Sequence, residues 1–400
     1  MSMTRVKKQT SAFFCLLLAF VLAAGLVPVT AMAAETVTLE FEDIGKTIEK
    51  QNLTLKILHN SVKTLEAGKT DAWLAQESLE YQLVALKIEL AVNEAEYEAD
   101  QENELLLAKI EALKKQIILL EYQLGTVINQ VYASIDSIDA NIEKLEKQRS
   151  AALNSLIYSA EASYISYFKL QVAKEQIAVQ AAEAERSVNS LAARYNLGMI
   201  SKSVLDSAAN QLKTLDDSLR SLERQEKSLI DDIKVTLGYD LKTNLKIGAA
   251  PKFEYGSFYS VSYSAGLKEY LANSTKIKDA EKALEDAKEK REDEANTVYD
   301  VNRAEVELES AKIDAERAFD KAYNSLRDAY EKLEDTEEKL EDAQTESLNA
   351  RKRYGLGMIS LSSLNAKEAE LKTAGISVAQ AKIDLQMSTL SYKNSLAGII

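Results

Sequence analysis

Apolar residues return at alternating intervals of three and four positions over most of this chain. A 3.5-residue period keeps an apolar stripe on one side of a helix, where it can face a partner helix. The pattern therefore predicts long helices packed as coiled coils. The stripes are Leu106, Ile110, Leu113, Ile117, Leu120, Leu124, Val127, Val131, Ser134 and Ile138, then Leu205 to Ile233, Ala315 to Ala350, and Leu371 to Tyr392.

An internal repeat divides the pattern into two units. The segment Arg194–Ser201 recurs as Arg353–Ser360, 159 residues later, with seven of eight positions identical. The same shift aligns Leu205 with Leu364 and residues 212–214 with 371–373. Duplicated sequence units usually occupy equivalent places in a fold, so we expect two copies of one helical unit.

The repeated segment carries the signals of a tight turn between helices. Gly198 and Gly357 fall where a residue in the left-handed conformation would end a helix. Ser201 and Ser360 can cap the helix that follows. We therefore predict an all-α fold of long antiparallel coiled-coil helical hairpins in two tandem repeats, with little or no β-structure.

Residue composition predicts where the two repeats begin and end. Residues 1–34 are typical of a signal peptide: Arg5, Lys7 and Lys8 precede an apolar run and a small-residue cleavage pattern. A retained N-terminal anchor is the alternative. We assign 35–237 to repeat one with a tip near 196–201, 238–266 to a linker, and 267–400 to repeat two with a tip near 355–360.

We make three further predictions, which concern the linker, two helix reversals and Gly125. Pro251 lies in the linker, which we expect to be an ordered segment packed on the helices; a short strand from Phe253 to Tyr263 is the alternative. Repeat one is longer than repeat two by about 60 residues that also show heptads. Weaker phase between Glu94 and Glu104, and again between Arg291 and Arg303, suggests helix reversals there. Gly125 falls off its stripe and is not expected to break the helix.

The chain lacks the residue clusters on which enzyme sites are built. His59 is its only histidine, and Cys15, its only cysteine, lies in the predicted signal peptide. Zinc sites need several such ligands. The net charge of −14 disfavours nucleic acid as a partner. We expect no catalytic activity, no metal and no cofactor, and we expect Trp73 to anchor helix packing.

These features resemble the TolC-like outer-membrane efflux protein family. The start Val37 to Phe41 with Asn52 downstream is similar to the family's opening, and the paired motifs are similar to its two hairpin tips. The resemblance implies a homotrimeric tube that docks a periplasmic-type adaptor protein and an ABC or RND pump. The implied docking residues are Arg194, Tyr195, Gly198, Met199, Ile200 and Ser201, with Arg353, Tyr354, Gly357, Met358, Ile359 and Ser360.

The sequence departs from this family in two ways. An acidic residue usually follows the tip glycine by six positions, but Val204 and Ser363 stand there, and only Asp206 could substitute. Neither repeat shows the alternating strands of the family's membrane barrel, so the chain resembles barrel-less relatives from single-membrane bacteria. We expect an exported cell-envelope protein, associated with the wall or surface if it has no barrel. The alternative function is a structural coiled-coil spacer without transport activity.

Overall fold

The computed structural model describes residues 36–251, 261–293 and 298–399, so the predicted signal peptide lies outside it. Most of the segment from Phe253 to Tyr263, for which a short strand was the alternative, also lies outside the described residues, and Tyr263 itself begins a helix. In chain order the elements are β1 (Thr36–Leu39), a 3₁₀ turn (Phe41–Asp43), α1 (Ile44–Gln51), α2 (Leu53–Ala99), α3 (Glu104–Asn196), α4 (Lys202–Leu237), β2 (Asn244–Ile247), α5 (Tyr263–Asn273), α6 (Thr275–Asp293), α7 (Val298–Gly355) and α8 (Leu361–Leu396).

Helices make up nearly all of the described chain, which confirms the predicted all-α class of long helical hairpins. Within the described ranges, none of the helices combines the length and apolar character required to span a bilayer.

Repeat one forms two hairpins that point in opposite directions. Helix α2, of 47 residues, extends about 70 Å and reverses at residues 100–103, where weak phase predicted a reversal. Helix α3, of 93 residues, runs back beside α2 and continues to the first repeated motif, without a break at Gly125. Helix α4 then returns beside the later part of α3. We call the pair of α2 with early α3 the upper hairpin, and the pair of late α3 with α4 a tip hairpin.

Repeat two follows the same path with a much shorter upper part. Helix α6 has 19 residues, against 47 in α2, and it packs against α7. The reversal predicted after Arg291 falls between α6 and α7, and residues 294–297 lie outside the described chain. Helices α4 and α8 both have 36 residues, so the tip hairpins of the two repeats match in length.

The heptad stripes are the surfaces on which the helices pack. From Ala315 to Ala350, every predicted position is buried or half-buried, with Phe319 fully enclosed. One prediction is wrong: Ser134 is exposed and its neighbour Ile135 is buried. Burying the apolar isoleucine avoids the cost of removing a hydroxyl group from water.

The two hairpins of repeat one meet in a mixed core that we call the base of repeat one. Ile44, Ile48, Tyr164 and Leu237 are fully buried there. Strands β1 and β2 form a parallel two-stranded pair at its edge, with Thr36 opposite Asn244. Burial raises the pKa of Tyr164 to about 12, and its hydroxyl donates to the Ala249 carbonyl at 2.8 Å.

The two repeats contact each other through α3 and α8. Ile165 is fully buried against Ile383 and Leu390, and the Lys169 ammonium lies 2.9 Å from the Asp384 carboxylate. Because Lys169 precedes the first turn glycine by about 29 residues and Asp384 follows the second by about 27, both turns lie about 40 Å from this contact. Tyr164, which precedes Lys169 on α3, and Gln386, which follows Asp384 on α8, donate to the Ala249 and Pro251 carbonyls of one short segment. The two helices therefore run antiparallel here, and the two tips lie at the same end of the molecule.

Candidate functional site: the hairpin tips

Tip one, residues 194–201, is a complete helix-ending motif. Gly198 has φ 71°, which confirms the predicted left-handed glycine. Its amide donates to the Tyr195 carbonyl at 2.9 Å, and the next amide, of Met199, donates to the Arg194 carbonyl at 2.9 Å. This pair of bonds is the Schellman motif, which satisfies the last carbonyls of a helix.

Tip two, residues 353–360, repeats this geometry. Gly357 has φ 72°, its amide donates to the Tyr354 carbonyl at 2.9 Å, and the Met358 amide donates to the Arg353 carbonyl at 2.8 Å. The duplicated sequence thus forms duplicated structure, and the six predicted residues of each set lie within one tip.

The serine caps differ between the tips. The Ser360 hydroxyl accepts the Ser363 amide at 3.1 Å, as predicted. Ser201 occupies the same extended cap conformation, but its side chain makes no capping bond, so that part of the prediction is wrong. The first turn of α4 instead begins with a bond from the Val204 amide to the Ser201 carbonyl.

Both tips present the same apolar side chains to solvent. Met199 and Met358 are each 64% exposed, while Ile200 and Ile359 are half-buried. The sequence interpretation overlooked the most exposed pair, Leu197 and Leu356, each at 75%. Both leucines could have been identified from the sequence, because each stands inside the repeated motif directly before its glycine.

Charge and aromatic groups surround these apolar side chains. Arg194 and Arg353 are exposed in the last turns of their helices, where a cation favours the negative helix end. Tyr195 is 38% exposed and Tyr354 is 41% exposed. Each tip therefore offers leucine, methionine, tyrosine and arginine together. Val204 is 46% exposed and Ser363 is also exposed, so no carboxylate occupies either position.

The arms next to tip two are joined by ion pairs that do not use the tip residues. Arg351 lies 3.0 Å from Glu368, and Lys367 lies 2.6 Å from Glu346. Hydrogen bonds to Glu346 and Glu370 raise the pKa of Lys367 to about 12. These pairs hold the arms together just above the turn.

The same helix-ending motif occurs at the other end of each return helix, and sequence reasoning did not single it out. Gly238 has φ 84° and Gly398 has φ 71°. A Cβ atom at Gly238 would meet the backbone of Gln51 and Asn52, whereas one at Gly198 would have no other atom within 4 Å. The tips are thus free of contacts that the equivalent base turns make.

No metal centre competes with the tips as a candidate site. Within residues 36–251, 261–293 and 298–399, no three or more histidine, cysteine, aspartate or glutamate residues are arranged to hold a metal ion. His59 is exposed on α2. Trp73 packs edge-on against Tyr132 across the upper hairpin, with ring centroids 5.6 Å apart.

No family model and no curated protein matches the chain. Solved structures similar to it include the CmeC outer membrane channel of Campylobacter jejuni, 13% identical over 68% of each chain with a TM-score of 0.45. The outer-membrane channel OprN is 14% identical over 90% of each chain, with a TM-score of 0.46. A membrane protein from Pseudomonas aeruginosa is 13% identical over 94% of this chain and 95% of that one, also at 0.46. Identities this low and TM-scores below 0.5 establish neither a shared family nor a shared function.

Proposed function

We propose that this chain is an exported subunit of an efflux or secretion assembly that docks an adaptor protein through its two hairpin tips. The observation that carries the proposal is the pair of matching tips at one end of the molecule. Leu197 and Met199 in one, and Leu356 and Met358 in the other, are exposed to equal extents. Polar residues at these positions would end the helices equally well, so the turn itself does not require the exposed leucine and methionine.

The composition of the tips supports a protein partner. Exposed apolar side chains at equivalent positions mark interaction surfaces, and tyrosine and arginine are common among residues that dominate binding energy. The arms diverge in sequence and in ion pairing, yet the tips keep seven of eight residues. A partner that contacts both tips in the same way explains this difference.

The family resemblance in the sequence supplies the remaining parts of the proposal. A homotrimer, a periplasmic-type adaptor and an ABC or RND pump are the partners that it implies, at the cell envelope. The alternative, a coiled-coil spacer without transport, needs no matched apolar tips, and nothing in their geometry favours it.

The test is complementation of a deletion strain with tip variants. Met199→Asp with Met358→Asp should remove export and adaptor co-purification, because a carboxylate cannot be buried in an apolar contact without a large cost. Ser207→Asp with Ala366→Asp is the matched control, since both positions are exposed on the return arms and are related by the same 159-residue shift. Unchanged export in the tip variant, or no export defect on deletion, would refute the proposal.

A further inference from the structure

The two tip hairpins end in matching turns, but their arms are joined differently. In repeat two, the ion pairs of Arg351 with Glu368 and of Lys367 with Glu346 both cross from α7 to α8. Each of these residues lies within about 11 positions of Gly357, or about 17 Å along its helix. The arms beside tip two are therefore joined close to the turn.

Repeat one has no counterpart of these two pairs. In the part of the chain that the structure describes, a single ion pair links α3 to α4, and it joins Lys174 to Glu226. Glu226 follows Gly198 by about 28 residues, so this pair lies about 42 Å from the turn. The positions equivalent to the four paired residues of repeat two hold only small uncharged side chains: Ser187, Ala192, Ala208 and Ala209.

The arms also differ in how completely their facing side chains are covered. None of residues 175–225, which include tip one and most of both its arms, is buried. Leu364 of repeat two is buried, whereas the equivalent Leu205 is only half-buried. At three further positions repeat two has a smaller, buried residue where repeat one has a larger, half-buried one. These pairs, with repeat two first, are Thr336 and Ile177, Ser347 and Val188, and Ala350 and Leu191.

The contact between the repeats does not account for this difference. It is made by one arm of each hairpin, α3 and α8, and it leaves α4 and α7 without this support. Each exposed ion pair contributes little alone, so the crossing pairs and the buried positions act together. Segments with few buried contacts open locally at a lower free energy than well-packed ones. The arms beside tip one should therefore separate more readily than the arms beside tip two.

We propose that the two tips are unequal binding sites, with tip two held in its docking geometry by its joined arms and tip one held closed only by the bound partner. The inference rests on the proposed docking function and adds how each tip is engaged. Binding at tip one includes the ordering of its arms, and this ordering reduces the affinity. Binding at tip two does not carry this cost, so the partner engages tip two more tightly.

The first experiment uses the free protein and does not depend on an adaptor. Amide hydrogen exchange should show at least tenfold greater protection in the arms beside tip two, residues 337–351 and 364–378, than in residues 178–192 and 205–219. Arg351→Ala with Lys367→Ala should lower the protection of the tip two arms at least threefold.

The matched control is Arg327→Ala, because Arg327 forms its ion pairs within α7 and none of them crosses to α8. This substitution should leave the protection of both pairs of arms unchanged. Equal protection in the two hairpins of the wild type, or greater protection in repeat one, would overturn the proposal.

The second experiment transfers the crossing pairs to repeat one and measures binding of a purified adaptor protein from the same cell. Ser187→Glu with Ala208→Lys, combined with Ala192→Arg and Ala209→Glu, should raise protection in the tip one arms at least threefold. It should also tighten adaptor binding at least twofold, because less order is then gained on binding. A graft that raises protection but weakens binding would overturn the proposal.

Single methionine variants compare the two tips directly. Met199 and Met358 are equally exposed, yet Met358→Asp should weaken adaptor binding at least threefold more than Met199→Asp. Equal effects, or equal protection of the arms with binding intact, would refute the inequality and leave the docking function standing. A wild-type protein that binds no adaptor would refute the docking function and, with it, the unequal sites.

Discussion

The tip and base turns of this protein share one backbone motif in two different environments. Gly198 and Gly357 at the tips, and Gly238 and Gly398 at the bases, all have positive φ and the same pair of helix-ending hydrogen bonds. At the tips the glycine is required only by its conformation. At the bases it is also required by space, since neighbouring backbone occupies the position of a Cβ atom. The motif alone is structural, and what surrounds it separates a packed turn from an available surface.

The largest expected difference comes from replacing these glycines by alanine. Gly238→Ala should destabilise the fold by about 3 kcal/mol or more, because the strain of a left-handed alanine adds to a clash with the Gln51 backbone. Gly198→Ala should cost about 1 to 2 kcal/mol, from the backbone conformation alone. Thermal unfolding followed by circular dichroism measures both. Equal losses would show that the base is not constrained by packing.

The bases of the two repeats also differ, at the residues that precede α2 and α6. The Asn52 side chain donates to the Thr236 carbonyl at 2.7 Å and accepts the Leu55 amide at 3.1 Å. In repeat two these roles are divided: Asn273 donates to the Leu396 carbonyl at 2.7 Å, and Ser274 accepts the Ile277 amide.

Removing the asparagine should therefore cost more in repeat one. Asn52→Ala loses a helix cap and a buried hydrogen bond, about 2 to 3 kcal/mol together, whereas Asn273→Ala loses one bond, about 1 kcal/mol. Denaturant unfolding of both variants tests the difference. A larger loss for Asn273→Ala would contradict the division of roles.

Acid should weaken the tip hairpin of repeat one through Glu226. Burial acts to raise the pKa of Glu226, but hydrogen bonds from Lys174 and Gln171, both at 2.6 Å, outweigh burial and hold the pKa below its ordinary value. The ionised form therefore stabilises the fold at pH above the ordinary carboxyl range, and this contribution is lost as the pH falls through the lowered pKa.

The matched comparison lies in the other tip hairpin. Glu337 pairs with Lys382 at 3.2 Å, with both side chains about half exposed, so solvent weakens this pair. Glu226→Gln should reduce the loss of stability between neutral and acidic pH by about 1 kcal/mol, and Glu337→Gln should change it less. Melting temperatures of both variants, measured from neutral to acidic pH, test this difference. An equal effect of the two substitutions would be evidence against a special role for Glu226.

The smallest effect on stability is expected at the tips. Leu197→Ser with Leu356→Ser should change the free energy of unfolding by no more than about 0.5 kcal/mol, because neither side chain is packed. Loss of several kcal/mol in this variant would mean that the leucines support the turn instead of a partner.

The sequence predicted the helices and the tip turns because both depend on local rules. Heptad spacing located the buried stripes, and a repeated glycine located the left-handed turns. The parallel pairing of Thr36 with Asn244 joins distant segments of four residues each, and no local pattern marks their partner. Gly238 and Gly398 were missed because their crowding arises from α1 and α5, which only the folded chain brings near.

The exposed apolar side chains of α2 were missed for a different reason. No heptad stripe was predicted between residues 53 and 99, so nothing distinguished Tyr81, Val84 and Ile88 from the buried positions beside them. Likewise, Leu197 and Leu356 were visible in the repeat but were read as part of the turn. Their exposure, and so their value as candidate contacts, became evident only in three dimensions.

Amide hydrogen exchange with a purified adaptor protein from the same cell tests the central distinction between tips and bases most directly. Binding should slow exchange in residues 194–201 and 353–360 at least tenfold and leave the amides after Gly238 and Gly398 unchanged. Protection confined to other parts of the chain, with both tips exchanging as fast as in the free protein, would contradict a docking role for the tips.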